Sequence, residues 1–413
     1  MSPLNTFLAL GLLTVLAACD TATPTPIEDP TPIELSELQT QLIGQSNDFG
    51  VGLFAQVAAE DDGNLMLSPL SASVALTMLL NGADGDTYDQ IRDMLGYGPA
   101  LDLDAINAGY GDLRDQLLAA DPRVQLALAN AAFYREEFTA KAPFLDVLRG
   151  PFGARVDALD FSAPSSVDVI NEWASDNTNG RVPKVLDKIE PGHVLFLLNA
   201  LYFKGDWTAQ FDRGDTAPAD FRLEDGRTVR VPTMSGDLPA QLVFGDGYQA
   251  VELAYGSGNF SFVALLPNEG SLADFAADLD AGLWTDATTR LDAAGRGPDE
   301  WRSVPVRLPR FTFSYEKTLN DPLKALGMED AFVPGLADLS RISDGRLSVD
   351  FVKQNTFVEV NEEGTEAAAV TTIGIELTSV PPSFVADRPF VFAIRERTTN
   401  TLLFIGQVAD PST

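Results

Sequence analysis

The chain of 413 residues has one cysteine, Cys19, one histidine, His193, and only 28 lysines and arginines against 60 acids. Each shortage excludes something. A single cysteine forbids an intramolecular disulfide, and one cysteine with one histidine cannot assemble a Cys/His zinc site. A Ser-His-Asp or Cys-His hydrolase would have to use His193 as its only imidazole base. The formal net charge of −32 leaves no cation clusters to neutralise phosphates, so nucleic acid is excluded as a partner and a polybasic membrane patch is disfavoured. Enough apolar material remains for a real core: 45% of the residues are hydrophobic and 21% charged, which is not the balance of a disordered chain.

The stretch Phe7–Ala18 (FLALGLLTVLAA) is apolar for twelve residues. A spanning helix needs about 20, whereas the hydrophobic region of a signal peptide needs no more than this. The stretch ends in Leu16-Ala17-Ala18-Cys19, which resembles the bacterial lipobox. Residues 1–18 then read as a lipoprotein-type signal peptide, and Cys19 as the lipid attachment point. The expected location is the cell envelope, as a membrane-anchored protein that is periplasmic or on the cell surface, with release to the exterior left open. One departure is that residues 1–7 hold no Lys or Arg. Residues 19–34 follow as a linker, with four prolines and four acids over residues 20–34. An extended proline-rich chain of that length reaches about 45 Å at roughly 3.1 Å per residue. From Leu35 to Thr413 no second linker occurs, and the span reads as one large domain.

Within it, apolar residues at helical spacing (Leu38, Leu42, Phe49, Leu53, Phe54, Val57) predict a helix over Leu35–Ala59, broken near Gly44–Asn47. Ser68-Pro69 opens a second helix with a capping serine and a first-turn proline, and Asn81-Gly82 closes it. Strand-like runs follow at Val124–Tyr134, His193–Phe203, Phe260–Leu266 and Val304–Ser314, and Asp225-Gly226 signals a hairpin. Helices gather early and strands late without βαβ alternation, so the fold class is α+β.

Most candidate chemistry fails on context. Gly245–Ala250 matches a nucleotide-binding fingerprint, but Tyr248–Tyr255 alternates like a strand where a helix is required, so it reads as a hairpin turn. His193 leads into an apolar strand with no nucleophile motif beside it and reads as a strand-end histidine. No acidic ladder matches a calcium loop. No cofactor, no metal and no enzymatic activity are expected. The segment Phe357–Ile375 (FVEVNEEGTEAAAVTTIGI) differs from the rest. It begins as an alternating strand, breaks at Gly364 and continues through three alanines. Under strand alternation Thr365, Ala367, Ala369, Thr371, Ile373 and Ile375 share one face. Glu366, Ala368, Val370, Thr372, Gly374 and Glu376 share the other. A slip of one residue would bury Glu366, so the register is well specified. This is a latent strand inside a loop.

Five blocks, in order, carry a family resemblance: Ser68-Pro69-Leu70-Ser71, Asn199–Trp207 (NALYFKGDW), Pro309–Phe332 (PRFTFSYEKTLNDPLKALGMEDAF), Glu359–Thr371 (EVNEEGTEAAAVT) and Arg388-Pro389-Phe390. Over Leu35–Thr413 the chain resembles the serpins. The resemblance implies a metastable domain of three β-sheets and about nine helices with an exposed reactive loop. It implies an irreversible suicide-substrate inhibitor that forms a covalent complex with a serine protease, then inserts the cleaved loop into the main sheet and distorts the trapped enzyme. Glu362, Gly364, Thr365, Glu366, Ala367, Ala368 and Ala369 correspond to the hinge of that loop. Sixteen residues on from Glu362, and eleven back from Pro389, is Thr378. The reactive bond is then Thr378–Ser379. A small uncharged threonine suits elastase-like or subtilisin-like proteases, and Leu377 leaves chymotrypsin-like or papain-like enzymes as alternatives. Ser68, Ser71 and Asn199 correspond to the region where the main sheet opens, with Gln354 where many members have a histidine. The resemblance also leaves open a non-inhibitory binding or carrier module, although the hinge has none of the charged inward residues or prolines that would block insertion. A chain at −32 makes a heparin-like cofactor a poor fit, and a monomer is expected.

Overall fold

The computed structural model describes residues 31–295, 301–364 and 382–413. Nine α-helices lie among them, and the first shows how local chemistry starts an element. Ser36 caps α1 (Glu37–Ala58): its Oγ accepts from the Gln39 N–H at 3.2 Å while Gln39 Oε1 accepts from the Ser36 N–H at 2.9 Å. That reciprocal pairing satisfies two of the donors that a helix start leaves free. The helix runs on without the break expected at Gly44–Asn47. Its polar residues there are not turn formers but contacts. Ser46 Oγ donates to Ser73 Oγ at 2.9 Å, and Asn47 joins the Asn400 carbonyl and the Leu402 N–H at 2.7 and 3.0 Å.

Helix α2 (Pro69–Leu80) starts as read, with the Ser71 N–H donating to Ser68 Oγ at 3.3 Å. It is buried nearly all round, because α1 and two sheets pack against it. Around this pair stand α3 (Gly85–Met94), α4 (Leu103–Ala119), α5 (Ala142–Arg149), α6 (Ser165–Asn177), α7 (Leu272–Asp278), α8 (Ala281–Ala293) and α9 (Asn320–Ala325). None of the described helices is long and apolar enough to cross a membrane.

The strands fall into three sheets. One core sheet joins β1 (Leu65–Leu67), β14 (Thr401–Val408), β13 (Phe390–Glu396), β8 (Phe260–Pro267) and β7 (Tyr248–Tyr255), in that order, to the end of β6 (Thr228–Phe244). The first half of the 17-residue β6 belongs to a second sheet, pairing with β5 (Ala217–Arg222) and β9 (Arg302–Pro309), and β9 carries β12 (Phe384–Val385) in parallel. The run Val304–Ser314, read as one strand, is two: the chain turns at Pro309-Arg310 from β9 into β10 (Phe311–Thr318). Proline cannot donate to a ladder, which suits it to a point where the chain changes sheets. Gly245-Asp246-Gly247 is the β6–β7 hairpin turn, with Gly247 at φ +79°, so the nucleotide-like motif is a turn.

The third sheet exists as two parts. β3 (Arg155–Leu159), β2 (Val124–Arg135) and β4 (Leu195–Gly205) form one, and β10 with β11 (Lys353–Val360) the other. Both parts lie over the main core, which they cover with Leu197, Leu201, Phe203, Val358 and Val360. On the opposite face a second core of Phe133, Ile170, Trp173 and Phe196 forms under α6.

A buried charge cluster ties the core sheet together. Glu252 on β7 is fully buried and accepts from Ser261 Oγ at 2.6 Å and from Arg395 Nη2 at 2.9 Å; Arg397 Nε lies 3.3 Å away. Arg395, also fully buried, reaches Asp292 and Asn400. Burial by itself would raise the Glu252 carboxyl, but the two guanidiniums outweigh it and hold the group below the ordinary glutamate range. Removing one member strands the others in a dry interior. Glu252→Ala should therefore cost about 3–5 kcal/mol, read as a lower denaturant midpoint. Because the folded pKa is depressed, this contribution is present above the unfolded value near ~4.3 and is lost as pH falls through the folded value. The gap between wild type and variant should accordingly narrow in acid.

Candidate functional site

β4 and β11 face each other as the inner edges of the divided sheet, and among the described residues neither has a ladder partner on that side. Between them runs a slot whose lower part is a cavity of about 530 Å³, lined by residues 194–201 and 346–356. Residues of α2 form its floor, and Ile170, Trp173 and Ala174 of α6 its roof. A smaller cavity continues upward between Leu201–Phe203 and Phe357–Glu359. An edge of this kind is a template for another strand.

At mid-height the four residues expected at the sheet-opening region meet. The Gln354 amide pairs with the backbone of Ser68 in both directions: Oε1 accepts from the Ser68 N–H at 2.9 Å and Nε2 donates to the Ser68 carbonyl at 2.9 Å. Ser68 Oγ donates to the Leu403 carbonyl at 2.8 Å, which fastens the start of α2 to β14. Ser71 Oγ donates to Asn199 Oδ1 in a short hydrogen bond, and Asn199 Nδ2 donates to Asn130 Oδ1 at 2.6 Å. Each half of the sheet is thus tied separately to the head of α2, β11 through Gln354 and β4 through Asn199. Asn130 on β2, which the sequence did not single out, extends the network to the Phe152 carbonyl.

The upper end of the slot is closed by the turn that follows β11. Gly364 bridges back to Asn361 and across to Asp206 at the end of β4. The Trp207 N–H donates to the Glu363 carbonyl at 2.9 Å, the Phe211 N–H to the Glu362 carbonyl at 3.0 Å, and Trp207 Nε1 to the Asn361 carbonyl at 2.8 Å. Both glutamates are buried, at 4% and 8% exposure. Glu362 accepts from Thr216 Oγ1 at 2.7 Å and faces Arg310 at 3.6 Å, while Glu363 is paired with Arg213. Only glycine suits position 364. Its φ is +116°, and a Cβ there would lie 2.4 Å from the Trp207 nitrogen.

At the lower end His193 and Asp350 meet, Nε2 to Oδ2 at 2.8 Å, while His193 Nδ1 accepts from the Glu190 N–H at 3.1 Å. The imidazole stands edge-on to Phe196 and Phe351, which approach each other to 6.2 Å between ring centroids. His193 is therefore a structural bridge between the two halves of the sheet.

Of the hinge residues, Glu362 and Gly364 are the ones described. Thr365, Glu366, Ala367, Ala368 and Ala369, the bond Thr378–Ser379 and Cys19 lie outside the described residues. The chain re-enters at β12, where the Ala386 N–H donates to the Arg307 carbonyl and the Arg222 N–H to the Asp387 carbonyl. The last residues of the proline-rich stretch lie against the body: Thr31 exchanges two hydrogen bonds with the Asn259 side chain, and the Ile33 N–H donates to Thr398. Sequence reasoning missed Trp207, Arg213, Thr216, Arg310 and Glu363 as parts of the site. Only the adjacent pair of acids before Gly364 hinted that two cations would be needed.

Comparison with known proteins agrees with this architecture. Residues 44–411 match the family model described as serpin (serine protease inhibitor). Serpin A3-6 of Bos taurus is 32% identical over 422 residues, covering 100% of this chain and 98% of its own. Iripin-5 of Ixodes ricinus is 36% identical over 376 residues, covering 88% and 93%. The crystal structure of the thermophilic serpin tengpin in the native state superposes with a TM-score of 0.79 at 30% identity, covering 92% of this chain and 97% of that one. The nine described helices, the three sheets and the match across nearly the whole body show that this chain belongs to the serpin family, whose members are in general serine protease inhibitors.

Proposed function

We propose that the protein is an irreversible suicide-substrate inhibitor of elastase-like or subtilisin-like serine proteases, anchored to the cell envelope through a lipid on Cys19. The observation that carries this reading is the fit between the slot and the segment that follows Gly364. The antiparallel bridges of Gly364 to Asp206 and to Asn361 fix a register. Continued down the slot, that register would set Thr365 between Gly205 and Val360, Thr371 between Asn199 and Gln354, and Ile375 against Leu195. Residues directly opposite in a ladder share a face. Thr365, Ala367, Ala369, Thr371, Ile373 and Ile375 would then face the main core, as Leu197, Leu201, Val358 and Val360 do. The one polar residue past the hinge on that face, Thr371, would meet the polar network of Asn199 and Gln354. On the other face Glu366 would oppose Lys204.

The chemistry belongs to the protease. Its serine Oγ attacks the Thr378 carbonyl, the Thr378–Ser379 bond breaks, and the Ser379 nitrogen leaves as an amine with a proton from the protease histidine. The ester to Thr378 persists only if the freed segment enters the slot before water hydrolyses it. The inner edge of the eleven-residue β4 faces the slot, and at about 0.5–1.5 kcal/mol net per ladder bond a strand inserted between β4 and β11 would gain on the order of 10 kcal/mol. A protease domain is stable by about 5–15 kcal/mol, so the insertion can deform it.

Three outcomes are expected. Incubation with an elastase-like or subtilisin-like protease should give an SDS-stable complex, with the new N-terminus at Ser379; cleavage with turnover by every protease tried would leave the non-inhibitory reading. Thr365→Arg should turn the inhibitor into a substrate, since the guanidinium would have to enter the core face beside Gly205; a stable complex in that variant would refute the register. Gln354→Ala leaves the Ser68 N–H and carbonyl without the amide and should lower native-state stability by about 1–3 kcal/mol in denaturant titration.

A further inference from the structure

Given insertion as proposed above, the reading on which this inference rests, we propose that the turn of residues 178–181 after α6 is a strap across the upper slot. It grips β4 with Asn179 and β11 with Arg181, and its release sets how readily the two halves of the divided sheet part. Asn179 Nδ2 donates to the Tyr202 hydroxyl on β4 at 3.3 Å. Two residues on, the Arg181 guanidinium lies 4.8 Å from the centre of the Phe357 ring on β11 and 3.4 Å from Glu359 Oε2. A guanidinium suits both tasks, since its plane covers the ring while its N–H groups face the carboxylate. Glu359 Oε1 in turn accepts from Asn361 Nδ2 at 3.3 Å, which joins the strap to the turn that closes the top of the slot. The smaller upper cavity lies under the strap, lined by Thr178, Arg181 and Val182 together with residues 201–203 and 357–359.

The strap is preformed and has no slack. Asn179 and Gly180 stand at φ +51° and +76°, a left-handed pair that asparagine and glycine tolerate best. The Gly180 N–H donates to the Ser175 carbonyl at 2.8 Å, the Arg181 N–H to the Thr178 carbonyl at 2.9 Å, and the Val182 N–H to Thr178 Oγ1 at 3.0 Å. The chain beyond is fastened back to α6. Asn171 Oδ1 accepts from the Val185 and Leu186 N–H groups at 2.9 Å each, and Asn171 Nδ2 donates to the Leu186 carbonyl at 2.8 Å. Helix, turn and return segment therefore form one piece. Its two grips sit two residues apart, so Tyr202 and Phe357 cannot separate freely while both hold. Movement of β4 against β11 has to break the Asn179 hydrogen bond or lift the guanidinium from its ring and carboxylate. One is a neutral hydrogen bond, the other a partly exposed ion pair over a ring, and neither is strong alone. A strap of this strength holds the halves in the resting molecule and yields when a strand enters.

The test is a double-mutant cycle across the two grips, Tyr202→Phe on β4 and Arg181→Ala in the turn, read by amide hydrogen exchange along β4 and β11 of the intact protein. Each single substitution should raise exchange on both strands about fivefold. Because freeing either end releases the strap, the double variant should exchange little faster than the faster single one. Arg181→Lys keeps the charge without the plane and should fall between wild type and Arg181→Ala. A second readout is the tryptophan fluorescence change that follows cleavage at saturating elastase-like or subtilisin-like protease, with Trp173 on α6 and Trp207 at the closed end as reporters. Its rate should rise about fivefold in either single variant. Exchange effects that multiply in the double variant overturn the strap, since the two contacts are then independent packing. So does faster exchange confined to the strand whose own contact was removed. A fluorescence rate unchanged in both variants overturns the gating role while leaving insertion intact. If the wild type shows no such phase and gains no thermal stability on cleavage, insertion itself fails and the gating role with it, and the exchange cycle alone decides whether the strap ties the two halves.

Discussion

A sheet with its middle strand missing is the constraint from which the rest of the structure follows. β4 and β11 each present an edge of backbone donors and acceptors to the slot between them. Such edges are costly to leave without partners in a protein interior. They are held at this separation from three directions. The turn Asn361–Gly364 clips the top to Asp206 and Trp207, the head of α2 grips each half at mid-height through Gln354 and Asn199, and the His193–Asp350 pair spans the foot. The remaining elements act as a frame. The core sheet that runs from β1 to β6, with the buried Glu252–Arg395 cluster at its heart, supplies rigidity that the divided sheet lacks.

Under the proposed function, the segment after Gly364 would be under two demands that pull its composition apart. As bait it must be accessible to a protease, which favours small and polar residues. As a strand it must present an apolar face to the core and a compatible face to α6. Threonine, alanine and glycine satisfy both, because each is tolerated in water and none overfills the slot. Isoleucines enter only at 373 and 375, which the proposed register would bring to Leu197 and Leu195 at the apolar lower end. A sequence tuned only for exposure would have no reason to alternate in this way. One tuned only for burial would carry more β-branched residues near the hinge.

Much of this was legible in the chain because it is local. The Ser68-Pro69 helix start and the Asp225-Gly226 hairpin depend on neighbours a few positions away. The misreadings share the opposite cause. The polar residues of α1 looked like a break because their partners, Ser73 and Asn400, are 27 and 353 residues distant. Val304–Ser314 looked continuous because hydrophobic alternation does not register a change of sheet. Within the site, Gln354 was found by family pattern, whereas Arg213 and Arg310 were not. Nothing in a chain with 60 acids and 28 bases identifies which cation meets Glu362 or Glu363 until the fold brings them together. The Phe196–Phe351 contact was equally hidden, since its rings come from positions 155 residues apart.

His193 shows how the same residue changes meaning between the two levels. In the sequence it is the sole imidazole and hence the only available base for hydrolytic chemistry. In the fold both ring nitrogens are engaged, Nδ1 accepting from the Glu190 N–H and Nε2 donating to Asp350. That arrangement leaves neither nitrogen aimed at a substrate. A base requires a nitrogen lone pair free to take a proton from a nucleophile; here the lone pair of Nδ1 is already occupied by backbone. An inhibitor that lets its target's serine and histidine perform the bond cleavage needs no base of its own. In the proposed function its contribution would be mechanical, and the one histidine would serve it by joining the two halves of the sheet at the foot of the slot.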